Sequence, residues 1–111
     1  MEVQISSFED VTVLEASGDV DGSSAPALQE KVLQVAQPGC KLLMDMSKID
    51  FMSSAGLRVM LLVHRQISGG NGQVVLVGLS QSIRDTMNAT GFLKFFTTAD
   101  TLDAGLQALR Q

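Results

Sequence analysis

The spacing of the apolar residues changes repeatedly along this chain, and that switching constrains the fold more than any other feature. Val3 and Ile5 alternate with polar neighbours, as do Val11 and Val13. Ser7 to Asp10 between them is turn-like, which predicts a hairpin ended by Gly18. Ser23 or Ser24 can then cap a helix with Pro26 in its first turn. Its buried stripe is Ala25, Leu28, Val32, Leu33 and Val35 or Ala36, and Gln37-Pro38-Gly39 stops it. Leu42, Leu43, Met44 and Met46 read as a buried strand with Lys41 and Asp45 at its edges. A second helix begins near Ser53 or Ser54 and runs to about Ile67. Leu57, Met60, Leu61 and Ile67 form its stripe, widened by Val59, Leu62 and Val63, so other elements must cover most of it.

Gly69-Gly70-Asn71-Gly72 ends that helix, and Val74 to Leu79 is the clearest buried strand. A third helix is expected from Ser80 or Ser82 to Thr90, ended by Gly91, then a short strand at Phe95 and Phe96. The last helix, capped by Asp100 or Thr101, is expected to bury Leu102, Leu106 and Leu109. The predicted order is β-β-α-β-α-β-α-β-α, an α/β fold. Strand, helix, strand succession implies parallel pairing with right-handed crossovers, and the hairpin makes the sheet mixed. With 111 residues the chain suits one domain, 1–111, with one core.

The longest uncharged stretch, Gln66 to Ile83, is broken by Gly69, Gly70, Asn71, Gly72 and Gly78, and its apolar part is only Val74 to Leu79. Crossing a bilayer takes roughly 20 apolar residues, so no membrane span is expected. The start, Met-Glu-Val-Gln, lacks the basic and apolar segments of a signal peptide, which predicts a cytoplasmic protein. Residues 1–30 carry seven acidic and no basic side chains, and the remainder carries eight basic and five acidic ones. An acidic end repels phosphate backbones and the chain has no Trp or Tyr to stack on bases, so nucleic acid is an unsuitable partner. An acidic patch can instead steer a basic protein. Cys40 is the lone cysteine and reads as a buried thiol. With no exposed apolar stripe evident, the free protein is expected to be a monomer.

Catalytic chemistry lacks its parts. The only histidine is His64, and on one helix it stands roughly 15 Å along the axis from Ser54, too far for a nucleophile and its base. Asp19 with Asp21, and Asp45 with Asp50, do not have the spacing of a calcium loop, so no metal site is expected. The glycine cluster at 69–72 follows a helix and precedes a strand, the reverse of a phosphate-cradling loop. Met44, Met46 and Met60 fit core positions, which leaves Met52, beside the serines, for a contact.

The informative stretch is Met44 to Arg58, where a buried strand leads through Ile49 and Phe51 to two serines that open a helix. A serine there can cap the helix by accepting a backbone N–H. It can also be a regulated hydroxyl, because a phosphate at a helix N-terminus meets free donors and the positive end of the dipole.

Asp45-Met46-Ser47, Ile49 and Phe51-Met52-Ser53-Ser54-Ala55-Gly56-Leu57 together resemble the signature of STAS domains, most closely the bacterial anti-anti-sigma factors, or anti-sigma factor antagonists. Gly18-Asp19-Val20-Asp21 is similar to that family's glycine, acidic, apolar, aspartate stretch, and the order of elements agrees through the whole chain. The resemblance implies a non-enzymatic, cofactor-free regulator. It would sequester an ATP-dependent serine-kinase anti-sigma factor, be released once phosphorylated, and be reset by a metal-dependent serine phosphatase. Aligned on Gly56-Leu57, the implied phosphoacceptor is Ser54, with Ser53 the second candidate because it stands where the family pattern has an aspartate. The implied partner contacts are Asp19, Asp21, Met52, Ser53, Ser54, Ala55, Gly56 and Arg58. The rival expectation is a constitutive STAS module of a transport or signalling complex that is never phosphorylated.

Overall fold

A computed structural model describes residues 1–110 of the chain. β1 (Glu2–Phe8) and β2 (Val11–Val20) form an antiparallel hairpin. The chain continues through α1 (Ala25–Val35), β3 (Lys41–Met52), α2 (Ser54–Gly69), β4 (Gln73–Val77), α3 (Gln81–Ala89), β5 (Thr97–Ala99) and α4 (Leu102–Leu109). The strands lie in the order β1-β2-β3-β4-β5, and every pair after the first is parallel. This is the mixed sheet and the order of elements that the alternating periods predict.

Successive strand residues point to opposite faces, and the two faces carry separate cores. On one face Leu14, Leu42, Met44 and Leu76 meet Leu28 and Val32 of α1, Met60, Val63 and Ile67 of α2, and Ile83 and Met87 of α3. On the other, Val11, Leu43, Val75 and Val77 are closed by Leu109 of α4. The central strands are therefore apolar on both sides, as buried parallel strands must be.

Several expectations need correction, each for a local reason. The strand β2 does not end at Gly18; it runs on to Val20, with Gly18 at φ 102 absorbing an irregularity in the pairing. Leu33 and Leu62 lie on the outer flanks of α1 and α2 and are exposed. Phe95 belongs to a 3-10 turn over Leu93–Phe95 rather than to a strand, while Phe96 anchors that turn in the core and the strand starts at Thr97. Cys40 is half-buried rather than fully buried, and its burial pushes the thiol pKa up. Asp45 is not an edge residue: it sits inside β3 at 7% exposure.

The last helix departs most from its expected stripe. Leu102 is 42% exposed and Leu106 is half-buried, whereas Gly105 and Leu109 face the sheet. A Cβ on Gly105 would lie 2.7 Å from Val77 Cγ2 and 3.0 Å from Leu43 Cδ1, so the missing side chain lets α4 lie almost on the strands. Leu102, in the first turn of α4, takes no part in that contact and is left exposed. Leu109→Ala should lower stability by about 2–5 kcal/mol, the usual cost of a large-to-small change in a closed core. Leu102→Ala should cost less than about 1 kcal/mol. Urea unfolding of both variants checks this, and equal losses would contradict the packing described.

Candidate functional site

β3 pairs with β4 only as far as Asp45 but stays paired with β2 up to Met52. The upper parts of β2 and β3 thus project past β4, flanked by β1 only as far as Ser17, with α2 springing from the tip. Two irregularities bend this projecting part. Between the pairs Glu15–Asp45 and Ser17–Lys48, β3 spends one more residue than β2, and it does so again between Gly18–Ile49 and Asp19–Phe51. Asp45 braces the first: its Oδ1 accepts from the Ser47 N–H at 3.0 Å and from Ser47 Oγ at 2.7 Å. The second turns Phe51 to the face opposite Ile49, although the two residues are only two apart. Ile49 is buried and Phe51 is 54% exposed, beside Asp19.

The two serines divide their roles. Ser53 has extended backbone and is the N-cap of α2; its Oγ accepts from the Gly56 N–H at 3.3 Å. Its own N–H donates to the Val20 carbonyl at 2.8 Å, and its carbonyl accepts from the Leu57 N–H at 2.9 Å. Ser53 is therefore committed to the fold. Ser54 is the first helical residue, is exposed, and its hydroxyl makes no hydrogen bond among the described residues. The N–H groups of Ser54 and Ala55 precede the first intrahelical bonds and face outward with the helix dipole behind them.

The loop from β2 to α1 stands next to this helix start, because Val20 pairs with Met52 and bonds Ser53. Asp21, not Ser23 or Ser24, tends the start of α1. Asp21 Oδ1 accepts from the N–H groups of Ser23 at 3.0 Å and Ser24 at 3.1 Å, and from Ser23 Oγ at 2.8 Å. Ser24 Oγ makes no cap to its helix; it donates to the Asp19 carbonyl at 2.7 Å. The Ser23 hydroxyl, helped by the Ser24 and Ser23 N–H groups, holds the Asp21 carboxyl below the usual carboxylate range, so it is charged at neutral pH. Asp19 is exposed at the same edge.

The expected contact residues thus fall into two groups. Asp19, Asp21, Ser54 and Arg58 offer polar groups around the helix start, with half-buried Ser53 and Ala55 between them. Met52 and Gly56 do not: Met52 is 7% exposed, and its Cγ lies 2.7 Å from where a Gly56 Cβ would be. They support the site from beneath. Phe51 is the exposed apolar side chain that sequence reasoning missed, since its orientation depends on a bulge that leaves no mark in the spacing. His64 lies further along α2, packed on the rings of Phe95 at 5.6 Å and Phe96 at 5.5 Å, and has no contact with Ser54. If Ser53 alone is the cap, Ser53→Ala should cost about 1 kcal/mol in chemical unfolding. Ser54→Ala should change stability by less than about 0.5 kcal/mol; the reverse ranking would mean that the caps are misassigned.

Comparison with known proteins agrees with this geometry. The STAS domain family profile matches residues 2–105. The candidate anti-sigma factor antagonist BtrV of Bordetella bronchiseptica is 30% identical over 111 residues, covering 99% of this chain and 96% of its own. The crystal structure of an anti-sigma factor antagonist from Mycobacterium paratuberculosis superposes with a TM-score of 0.88 at 27% identity, over 99% of this chain and 94% of that one. The Bacillus cell fate determinant SpoIIAA, solved in its phosphorylated form, has the same fold, with a TM-score of 0.74 at 18% identity over 98% of this chain and 100% of that one. With nearly its whole length matched, the chain belongs to the STAS domain family.

Proposed function

We propose that this protein is a cytoplasmic anti-sigma factor antagonist whose hold on an ATP-dependent serine-kinase anti-sigma factor is switched by phosphorylation of Ser54. The observation that carries this reading is the division of labour at α2: Ser53 is occupied as the cap, and Ser54 is left exposed with a free hydroxyl. The names of the relatives from Bordetella and Mycobacterium support the antagonist role. A protein of this fold solved in a phosphorylated form supports the switch.

In the unmodified protein, the partner packs on the Ser54 helix start, on Asp19 near the end of β2 and on Asp21 in the loop that follows. The partner kinase transfers the γ-phosphoryl group of ATP to Ser54 Oγ; the hydroxyl proton leaves and ADP is released. The new group carries a charge of about −1.5 to −2 at neutral pH. The fold tolerates it, because it sits at the positive end of α2 beside unpaired N–H donors. The interface does not, because an unpaired charge at such a surface typically costs about 2–5 kcal/mol. A metal-dependent serine phosphatase restores the hydroxyl by hydrolysis, with release of inorganic phosphate. Ser53, in the place of an acidic residue, removes one negative charge beside the acceptor, so recognition by the kinase rests more on Asp19 and Asp21.

Phosphopeptide mapping from cells tests the acceptor directly. Trypsin cleavage after Lys48 and Arg58 releases Ile49 to Arg58, in which Ser53 and Ser54 are the only hydroxyl residues. Phosphate on Ser54 is expected; a peptide unmodified in every growth condition would leave the constitutive binding module instead. In binding assays with the cognate kinase, Ser54→Asp should bind at least about 30-fold more weakly than Ser54→Ala, the factor that corresponds to about 2 kcal/mol. Equal affinity of the two variants would remove the electrostatic basis of the switch.

A further inference from the structure

Arg58 stands one helical turn after Ser54 on α2, and both side chains are exposed. Arg58 is the only cation in the first two turns of the helix. Lys41, Lys48, Arg84 and Arg110 all have acidic partners, while Arg58 has none among the described residues. The surface leading to this helix start is acidic: Asp19 lies in β2 paired with Phe51, Asp21 follows on the β2–α1 loop, and exposed Asp50 is on β3. A dianion added at Ser54 would join this acidic surface, with Arg58 the one cation in the first two turns of α2 to offset it.

We infer that Arg58 is the intramolecular receptor for the phosphate on Ser54. This deepens the switch proposed above and rests on Ser54 being the acceptor. Residues four apart on a helix have Cβ atoms about 5–6 Å apart, and the favoured orientation places the anion N-terminal to the cation, as here. A guanidinium matches two phosphate oxygens with parallel N–H donors, a stronger pairing than an ammonium offers. The pairing has a second consequence. In the unmodified protein Arg58 lines a surface groove of about 280 Å³ with Leu61, Leu62 and Arg65. Phosphorylation draws the guanidinium toward the first turn and takes it out of that groove. One modification therefore changes two parts of the α2 surface, adding an anion at Ser54 and withdrawing a cation from the helix flank.

The test uses full-length protein carrying phosphoserine at position 54, installed during translation so that no kinase is needed. The second ionisation of the phosphate is followed by ³¹P NMR titration; an unperturbed phosphoserine titrates near about pH 6. Arg58→Gln should raise that pKa by about half a unit, consistent with the strength of a helical ion pair carrying a divalent partner. Arg58→Lys should retain part of the lowering, and Arg65→Gln, about 10 Å further along the axis, should leave it unchanged. An identical titration in Arg58→Gln, or an equal shift in Arg65→Gln, would overturn the inference. Because the phosphate is supplied independently, a negative phosphopeptide map would sink the proposed switch without altering this result. Loss of the pairing would likewise leave the switch itself standing.

Discussion

The position of everything functional depends on a contact in which a side chain is missing. A Cβ at Gly56 would lie 2.7 Å from Met52 Cγ, 2.8 Å from Val20 Cγ1 and 3.0 Å from the Val20 carbonyl oxygen. The first turn of α2 therefore rests directly on the last pair of β2 and β3, closer than any larger residue permits. That contact places the Val20 carbonyl within reach of the Ser53 N–H and turns Ser53 Oγ back to cap the helix. Ser54 is then the next residue out, on the side away from the sheet. The remainder of α2 follows with Val59, Met60, Val63 and Ile67 driven into the larger core.

A second dependence runs through β3. The upper half of this strand pairs only with β2, and past the end of β4 it needs its own bracing. Asp45 provides it from a nearly buried position, bonding both the N–H and the hydroxyl of Ser47. Gly78, at φ 74, closes against the same residue, since a Cβ there would be 2.8 Å from Ser47 Cβ. The extra residue near Ser47 and the one near Asp50 allow Met46, Ile49 and Met52 to share one core although they are three apart. The same geometry exposes Phe51 beside Asp19.

Charge is arranged less one-sidedly in space than along the chain. Of the seven acidic residues in the first 30, Glu9, Asp10 and Glu15 meet Arg110, Lys41 and Lys48. These pairs are exposed, and such bridges contribute little to stability. Their effect is on the surface field, because they offset three of the hairpin's carboxylates and leave Asp19 and Asp21, near the start of α2, without a basic partner among the described residues. Arg58, left unpaired on the same helix, supplies the opposite charge one turn away.

The succession of elements was legible from period alone, because strands and helices bury one face at spacings of 2 and 3.6 residues and the core rewards no other pattern. The cap-bearing serines, the buried runs at Leu42–Met46 and Val74–Val77, and the STAS-like stretch around Ser54 were likewise readable as local chemistry. Which serine caps and which is free was not readable, since either can accept an N–H and only the seat of Gly56 on Val20 and Met52 decides between them. Met52 goes inward and Phe51 outward because bulges shift the side-chain alternation by one, and a bulge has no signature in spacing. α4 meets the sheet through Gly105, packed against Val77 and Leu43 of other strands, and through Leu109, while Leu102 stays exposed. Sequence by itself thus determined the kinds of elements and the chemistry available at the helix start. Tertiary packing decided which side chains that helix start presents, because their directions depend on contacts between residues far apart in the chain.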